Sequence, residues 1–277
     1  MAELKDLQNK SLEILIMFDK FCKEHNLKYF LCGGACIGTV RHGGFIPWDD
    51  DIDVFMLRAD YEKLKDVFVN SEKYRLCRTN KDTFYRSMIT AISDENTTFI
   101  KERQKDLDIP HGVRLEIIPL DNCPKNKLSR KLQILWALTY QIYNNQEPPT
   151  SKGKLLEFIG KLMLFVFPTW KMRYRISKFA EKQMTKYNKR PSTHITELCS
   201  RYQYMVNEYP KEIFEGAVYK EFEGVLAPLP QGYDEYLKMA FGNYLELPPE
   251  SEQVPKHDAV FIDHENSYKN YKGKYYL

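Results

Sequence analysis

Apolar residues first recur at helical spacing: Leu4, Leu7, Ile14, Leu15, Phe18 and Cys22 share one face, which predicts a helix ending near Asn26. The pattern then shortens. Lys28–Cys32 reads as a strand, Gly33 and Gly34 interrupt it, and Ala35–Arg41 fits a brief helix that stops at His42, Gly43 and Gly44. Ile46–Phe55 reads as a second strand, Asp60–Val69 as a helix, and Phe84–Ile92 and Val113–Ile118 as further strands. From Leu128 to Asn188 the spacing is helical, and the C-terminal third alternates short elements with Pro and Gly turns before a basic, Tyr-rich tail. Strands followed by helices predict an α/β (α+β) fold with a mixed sheet and an added helical subdomain. The expected division is a catalytic core at 1–122, a helical subdomain at 123–200, and a segment at 201–277 that completes the core.

The second strand carries an anomaly. Asp49, Asp50, Asp51 and Asp53 place four carboxylates in five positions beside Ile46, Trp48, Ile52, Val54 and Phe55. Such crowding is costly in a partly buried setting unless a cation shares it. Strand alternation would send Asp49, Asp51 and Asp53 to one face and Asp50 to the other. Glu116, the single acid inside the apolar run GVRLEIIPLD, is the natural fourth ligand of a metal held by Asp49, Asp51 and Asp53. All-oxygen ligation suits Mg²⁺, with Mn²⁺ as the alternative. Gly33 and Gly34 open a short helix, where backbone N–H groups can approach phosphate, and Arg41 and His42 lie between the two glycine pairs as contacts to phosphate or braces for the loop.

The chain has 277 residues, 43% of them apolar, enough for a substantial core. Charges run through the first twenty residues, which therefore read as an amphipathic helix and not an export signal. Six cysteines show no zinc-type spacing, so reduced thiols and a cytoplasmic location are expected. Net charge is only +3, yet residues 125–190 hold 15 Lys and Arg against three acids, so this block is expected to sit against something anionic. No nucleic-acid-binding signature accompanies it. Its apolar middle, Leu162 to Trp170, is too short to span a bilayer. Three uses remain for residues 152–190: packing within the helical subdomain, peripheral contact with anionic lipid at the inner face of the membrane, or attraction of a phosphate-rich polyanion.

Strand, GG turn, short helix and a strand with DxD form the core pattern of a nucleotidyltransferase fold, and the wording is narrower. GTVRHGGFIPWDDDIDV closely resembles the signature of the LicD family, which includes bacterial phosphocholine transferases and the animal proteins fukutin and fukutin-related protein. GVRLEIIPLD resembles the family's second strand, with Glu116 where Asp is usual, and FEGVLAPLPQGYDEYLKMAFGNYLELPP followed by His257 resembles its closing block. The resemblance implies transfer of phosphocholine, or a related phospho-alcohol, from CDP-choline or another CDP-alcohol to a glycan hydroxyl such as that of a teichoic acid precursor. It further implies that Asp51, Asp53 and Glu116 are catalytic, that metal on Asp49, Asp51, Asp53 and Glu116 bridges the diphosphate, and that Glu116 accepts the acceptor's proton. Gly33, Gly34, Arg41, His42, Trp48 and His257 would contact substrate, Trp48 together with Tyr29, Tyr85 and Tyr233 offering faces for a quaternary ammonium. Two alternatives share these residues: a DxD glycosyltransferase using a nucleotide sugar, and an inactive glycan- or membrane-binding protein.

Overall fold

A computed structural model describes residues 2–148, 154–255 and 258–277. Helix α1 (Ala2–Glu24) buries Leu7, Ile14, Leu15, Phe18 and Cys22, the face that the spacing predicts. Strand β1 is only Phe30–Leu31, and α2 (Gly33–His42) begins at the double glycine. Then follow β2 (Ile52–Leu57), α3 (Arg58–Val67), β3 (Tyr74–Cys77), β4 (Thr90–Asp94), β5 (Thr98–Lys101) and β6 (Arg114–Asn122). The helical segment comprises α4 (Lys127–Asn145), α5 (Lys154–Val166) and α6 (Trp170–Thr185). The chain closes with β7 (His194–Thr196), α7 (Tyr202–Met205), β8 (Tyr209–Pro210), β9 (Ala217–Phe222), β10 (Val225–Pro230), α8 (Tyr233–Phe241) and β11 (Ala259–Asp263).

The main sheet is mixed, in the order β1-β2-β6-β4-β3, with β7 and β8 added at the far end of β6. Strands β2 and β6 run parallel at its centre, and β4 and β3 pair antiparallel beyond them. Their apolar runs pack on both faces, as central strands require: Ile52, Val54, Phe55, Met56, Leu115, Ile117 and Leu120 are all buried. Two small ladders stand apart, the β9–β10 hairpin and the pair β5–β11.

The helical segment has a small core of its own around Ala137, Tyr140, Ala180 and Met184. Buried charge ties it to the sheet. Asp121 near the end of β6 takes a two-pronged contact from Arg58 on α3, at 2.8 and 2.7 Å, and accepts from Asn188 at 2.6 Å. Such planar pairing is directional and fixes α3 against β6, while Asn188, after α6, brings the end of the helical segment to the same carboxylate. All six cysteines are buried and unpaired. Among the described residues, no helix is long and apolar enough to cross a membrane.

Three predicted boundaries move. The second strand begins at Ile52, not Ile46: Pro47 has no N–H to give a ladder, and the Asp49 amide instead donates to the Ile46 carbonyl at 2.9 Å, closing a turn. The strand expected from Phe84 begins at Thr90, because Arg86 is left-handed at φ 48° and breaks extension. The helix expected from Asp60 starts at Arg58, directly after β2.

Candidate active site

The acidic cluster straddles a turn and a strand. Asp49, Asp50 and Asp51 precede β2, and only Asp53 lies within it. Alternation along a strand therefore does not govern the first three, and the expectation that Asp50 points away fails: one carboxylate oxygen from each of Asp49, Asp50 and Asp51 lies within 4.8 Å of the other two. Helix α1 holds this turn from behind, Gln8 donating to the Asp49 carbonyl at 2.8 Å and Ser11 to the Asp50 carbonyl at 3.5 Å. Helix α2 closes it from the other side. A Cβ on Gly34 would meet Asp49 Oδ2 at 2.0 Å, so only glycine lets the carboxylate rest against the start of the helix.

Asp53 joins Glu116 through the sheet. They are register partners on the parallel pair β2–β6, and Ala91 is Glu116's partner on β4, where its small side chain leaves room. Adjacent strands bring such partners to about 5 Å. Asp53 Oδ1 is buried and has no hydrogen-bond partner. Glu116 Oε1 accepts from Lys101 Nζ, on β5, at 2.8 Å. Phe99, Lys101, Val113 and Arg114 line a small cleft with Asp50, Asp51 and Glu116, and Leu7 and Ser11 of α1 complete its wall.

Electrostatics divide the four predicted ligands. Burial raises Asp53 well above the usual carboxylate range, and the like charges of Asp51 and Glu116 add to it. Asp51 is pushed up to about 8 by desolvation and then by Asp49 and Glu116; because the residue is solvent-exposed, the like-charge contribution is the one its geometry supports. Asp49 rises to about 6, through burial and the neighbouring Asp50. Burial would also raise Glu116, but Lys101 overrides it and holds this carboxyl down at about 2. One acid is thus neutralised by protein and the others repel. A hard divalent cation fits this donor set: the carboxylates supply oxygens only, like charge raises Asp49, Asp51 and Asp53, and a buried oxygen of Asp53 lacks a partner.

The other predicted contacts scatter. Gly33 N–H donates to the Tyr236 hydroxyl at 3.0 Å, so this amide is occupied within the fold. Arg41, at the opposite end of α2, donates to the carbonyls of Tyr244 and Glu246 at 3.0 and 3.1 Å and fastens the C-terminal segment. His42 beside it is exposed, and desolvation and the Arg41 charge lower its pKa. Trp48 packs at the edge of the main core, and His257 lies outside the described residues. Tyr29 and Tyr85 are buried in two different clusters and Tyr233 packs against Lys220, so these rings do not form a cage. Lys101 and Arg114 went unforeseen. Arg114 precedes Glu116 by two positions and so shares its face, a signal available in the sequence; Lys101 arrives from a separate ladder.

Residues 26–112 match the family model described as LicD/FKTN/FKRP, nucleotidyltransferase domain. That range includes the acidic turn and Lys101 and stops just before β6 and Glu116. The chain is 33% identical over 264 residues to the lipopolysaccharide cholinephosphotransferase LicD of Haemophilus influenzae, an alignment covering 92% of this chain and 96% of that one. Shorter similarities are to an uncharacterized protein of Rickettsia prowazekii, 36% identical over 50 residues (18% of this chain, 19% of the relative), and one of Rickettsia typhi, 43% identical over 37 residues (13% and 12%).

Proposed function

Because the chain belongs to the LicD family, we propose that it transfers phosphocholine from a CDP-activated donor to a glycan hydroxyl and releases CMP. The observation that carries this reading is the Asp49–Asp51 turn, whose carboxylate oxygens gather within 4.8 Å, beside the register partners Asp53 and Glu116 near the start of the parallel pair β2–β6, with Asp51 and Glu116 lining one cleft. Asp49, Asp51, Asp53 and Glu116 would hold Mg²⁺, which when bound neutralises diphosphate charge and stabilises departing CMP.

The chain's own groups supply position and proton handling. Lys101 keeps Glu116 ionised through its contact with Oε1, leaving Oε2 as the oxygen available to a ligand. The same contact makes Glu116 a weaker base than an ordinary carboxylate. Asp51 suits that task better, since it is the exposed member of the cluster and an incoming acceptor meets it first. In the transfer, the acceptor oxygen forms a bond to the choline-bearing phosphorus as the bond to the CMP oxygen breaks, and the acceptor's proton passes to an Asp51 carboxylate oxygen and on to water. Much of the rate then comes from holding donor and acceptor in line.

The test is a donor panel with a lipid-linked glycan fraction and Mg²⁺, reading CMP release and incorporation of label into the glycan. CDP-choline should be consumed in preference to CDP-glycerol, CDP-ribitol and UDP-sugars. Consumption of CDP-ribitol instead would keep the chemistry and change the alcohol; consumption of a UDP-sugar alone would overturn the reading.

A further inference from the structure

The apolar face of α5 is not buried in the helical segment. Phe158, Leu162, Phe165 and Val166 leave 63%, 50%, 82% and 53% of their surface in water, although a packed helix would turn such residues inward. At about 100° per residue they fall within a single arc of the helix. The opposite side is the one that docks: the Tyr143 hydroxyl donates to the Met163 carbonyl at 3.2 Å, and Arg173 donates to the carbonyls of Leu164 and Phe167 at 2.8 and 2.7 Å. These contacts fix α5 by its backbone and leave the apolar arc outward.

The next helix adds an excess of positive charge. On α6, Lys171, Arg175, Lys178 and Lys182 recur at spacings of four, three and four, which places them in one exposed row, with Lys178 paired to Glu181 of the same helix. Exposed Met172 and Phe179 edge that row. We infer that α5 and α6 form an interfacial docking surface for a bilayer carrying anionic lipid, α5 inserting its apolar arc at the headgroup boundary and α6 laying its cations on the lipid phosphates. Charge complementarity selects this occupant, since the helix that follows the apolar arc exposes Lys171, Arg175 and Lys182, within a block of 15 Lys and Arg against three acids. The surface is separate from the acidic site, and its occupation does not depend on the transfer reaction.

Sedimentation of the full chain with vesicles tests this without donor or acceptor. Phosphatidylcholine vesicles containing phosphatidylglycerol should carry the protein down at low salt, and pure phosphatidylcholine should carry far less. Phe158→Ala with Phe165→Ala should weaken binding about tenfold or more, as loss of inserted apolar area requires. Lys171→Glu with Arg175→Glu should remove the preference for anionic lipid and its salt dependence. Each variant should keep the parent's melting temperature within a few degrees, because the altered side chains are exposed. Failure to bind anionic vesicles overturns the inference, as does binding that both double variants retain. A concentration-dependent dimer abolished by the Phe substitutions would assign the face to a second copy of the chain instead.

Discussion

Asp53 and Glu116 are partners across two strands, yet their carboxyls are shifted in opposite directions, because Lys101 bonds directly to Glu116 and Arg114 and Arg103 add to its effect. The acids themselves were legible because four carboxylates beside Ile52, Val54 and Phe55 have no bland explanation. Lys101 was not, since β5 is placed by tertiary contacts: it pairs with β11, more than 150 positions further on, and the Phe99 amide donates to the His111 carbonyl. A separate titrating group contributes to the pH response of the fold. His111 is fully buried against Tyr276, with Nε2 3.0 Å from the Leu107 carbonyl, and desolvation lowers it to about 4. The unfolded histidine titrates near 6.5, so between these values the unfolded chain binds more protons and stability falls as the pH falls. Urea unfolding at pH 8 and pH 5 should therefore cost wild type about 2 kcal/mol more than His111→Gln. Equal losses in the two proteins would mean that His111 is accessible in the folded state.

Helix α2 separates a functional from a structural role within one element. Gly34→Ala drives a Cβ against the carboxylate of Asp49, a side chain that can swing away, so the melting temperature should change by only a few degrees while donor turnover falls about a hundredfold. Gly38→Ala meets the Gly44 carbonyl at 2.3 Å and the Ile46 amide at 3.0 Å, which are backbone, so it should lower stability by about 3 kcal/mol or more. Thermal melts and turnover on both variants check the contrast, and a reversed ranking would show that Asp49 is not where the chemistry needs it. Elements with strong periodicity were read well: α1, the centres of β2 and β6, and the long helices all follow their apolar spacing. The acidic turn resembles strand in the sequence because apolar residues flank it, whereas Pro47 withholds the N–H that a ladder needs. Strands β5 and β11 escaped because they pair with each other across more than 150 positions, which leaves little local trace, and β3 is four residues long, too short for a clear period.

At the scale of the molecule, a mixed sheet places the acids at its centre, α1 and α2 brace the acidic turn, and a basic helical segment is fastened to the end of β6 through Asp121. The fold class was legible from the order of elements, while the exposure of α5 was not, since an apolar stripe reads alike whether it faces a core or a membrane. This arrangement makes one central demand: the carboxylates are tolerable as a group when a cation shares them, and the reaction needs that state. CMP release from CDP-choline, with acceptor present, should be compared for wild type and Asp53→Asn with Mg²⁺ and with chelator. Release by wild type that requires Mg²⁺, and that drops at least about a hundredfold in Asp53→Asn while the fold is kept, is the predicted result. Undiminished release by Asp53→Asn, or by wild type in chelator, would contradict it.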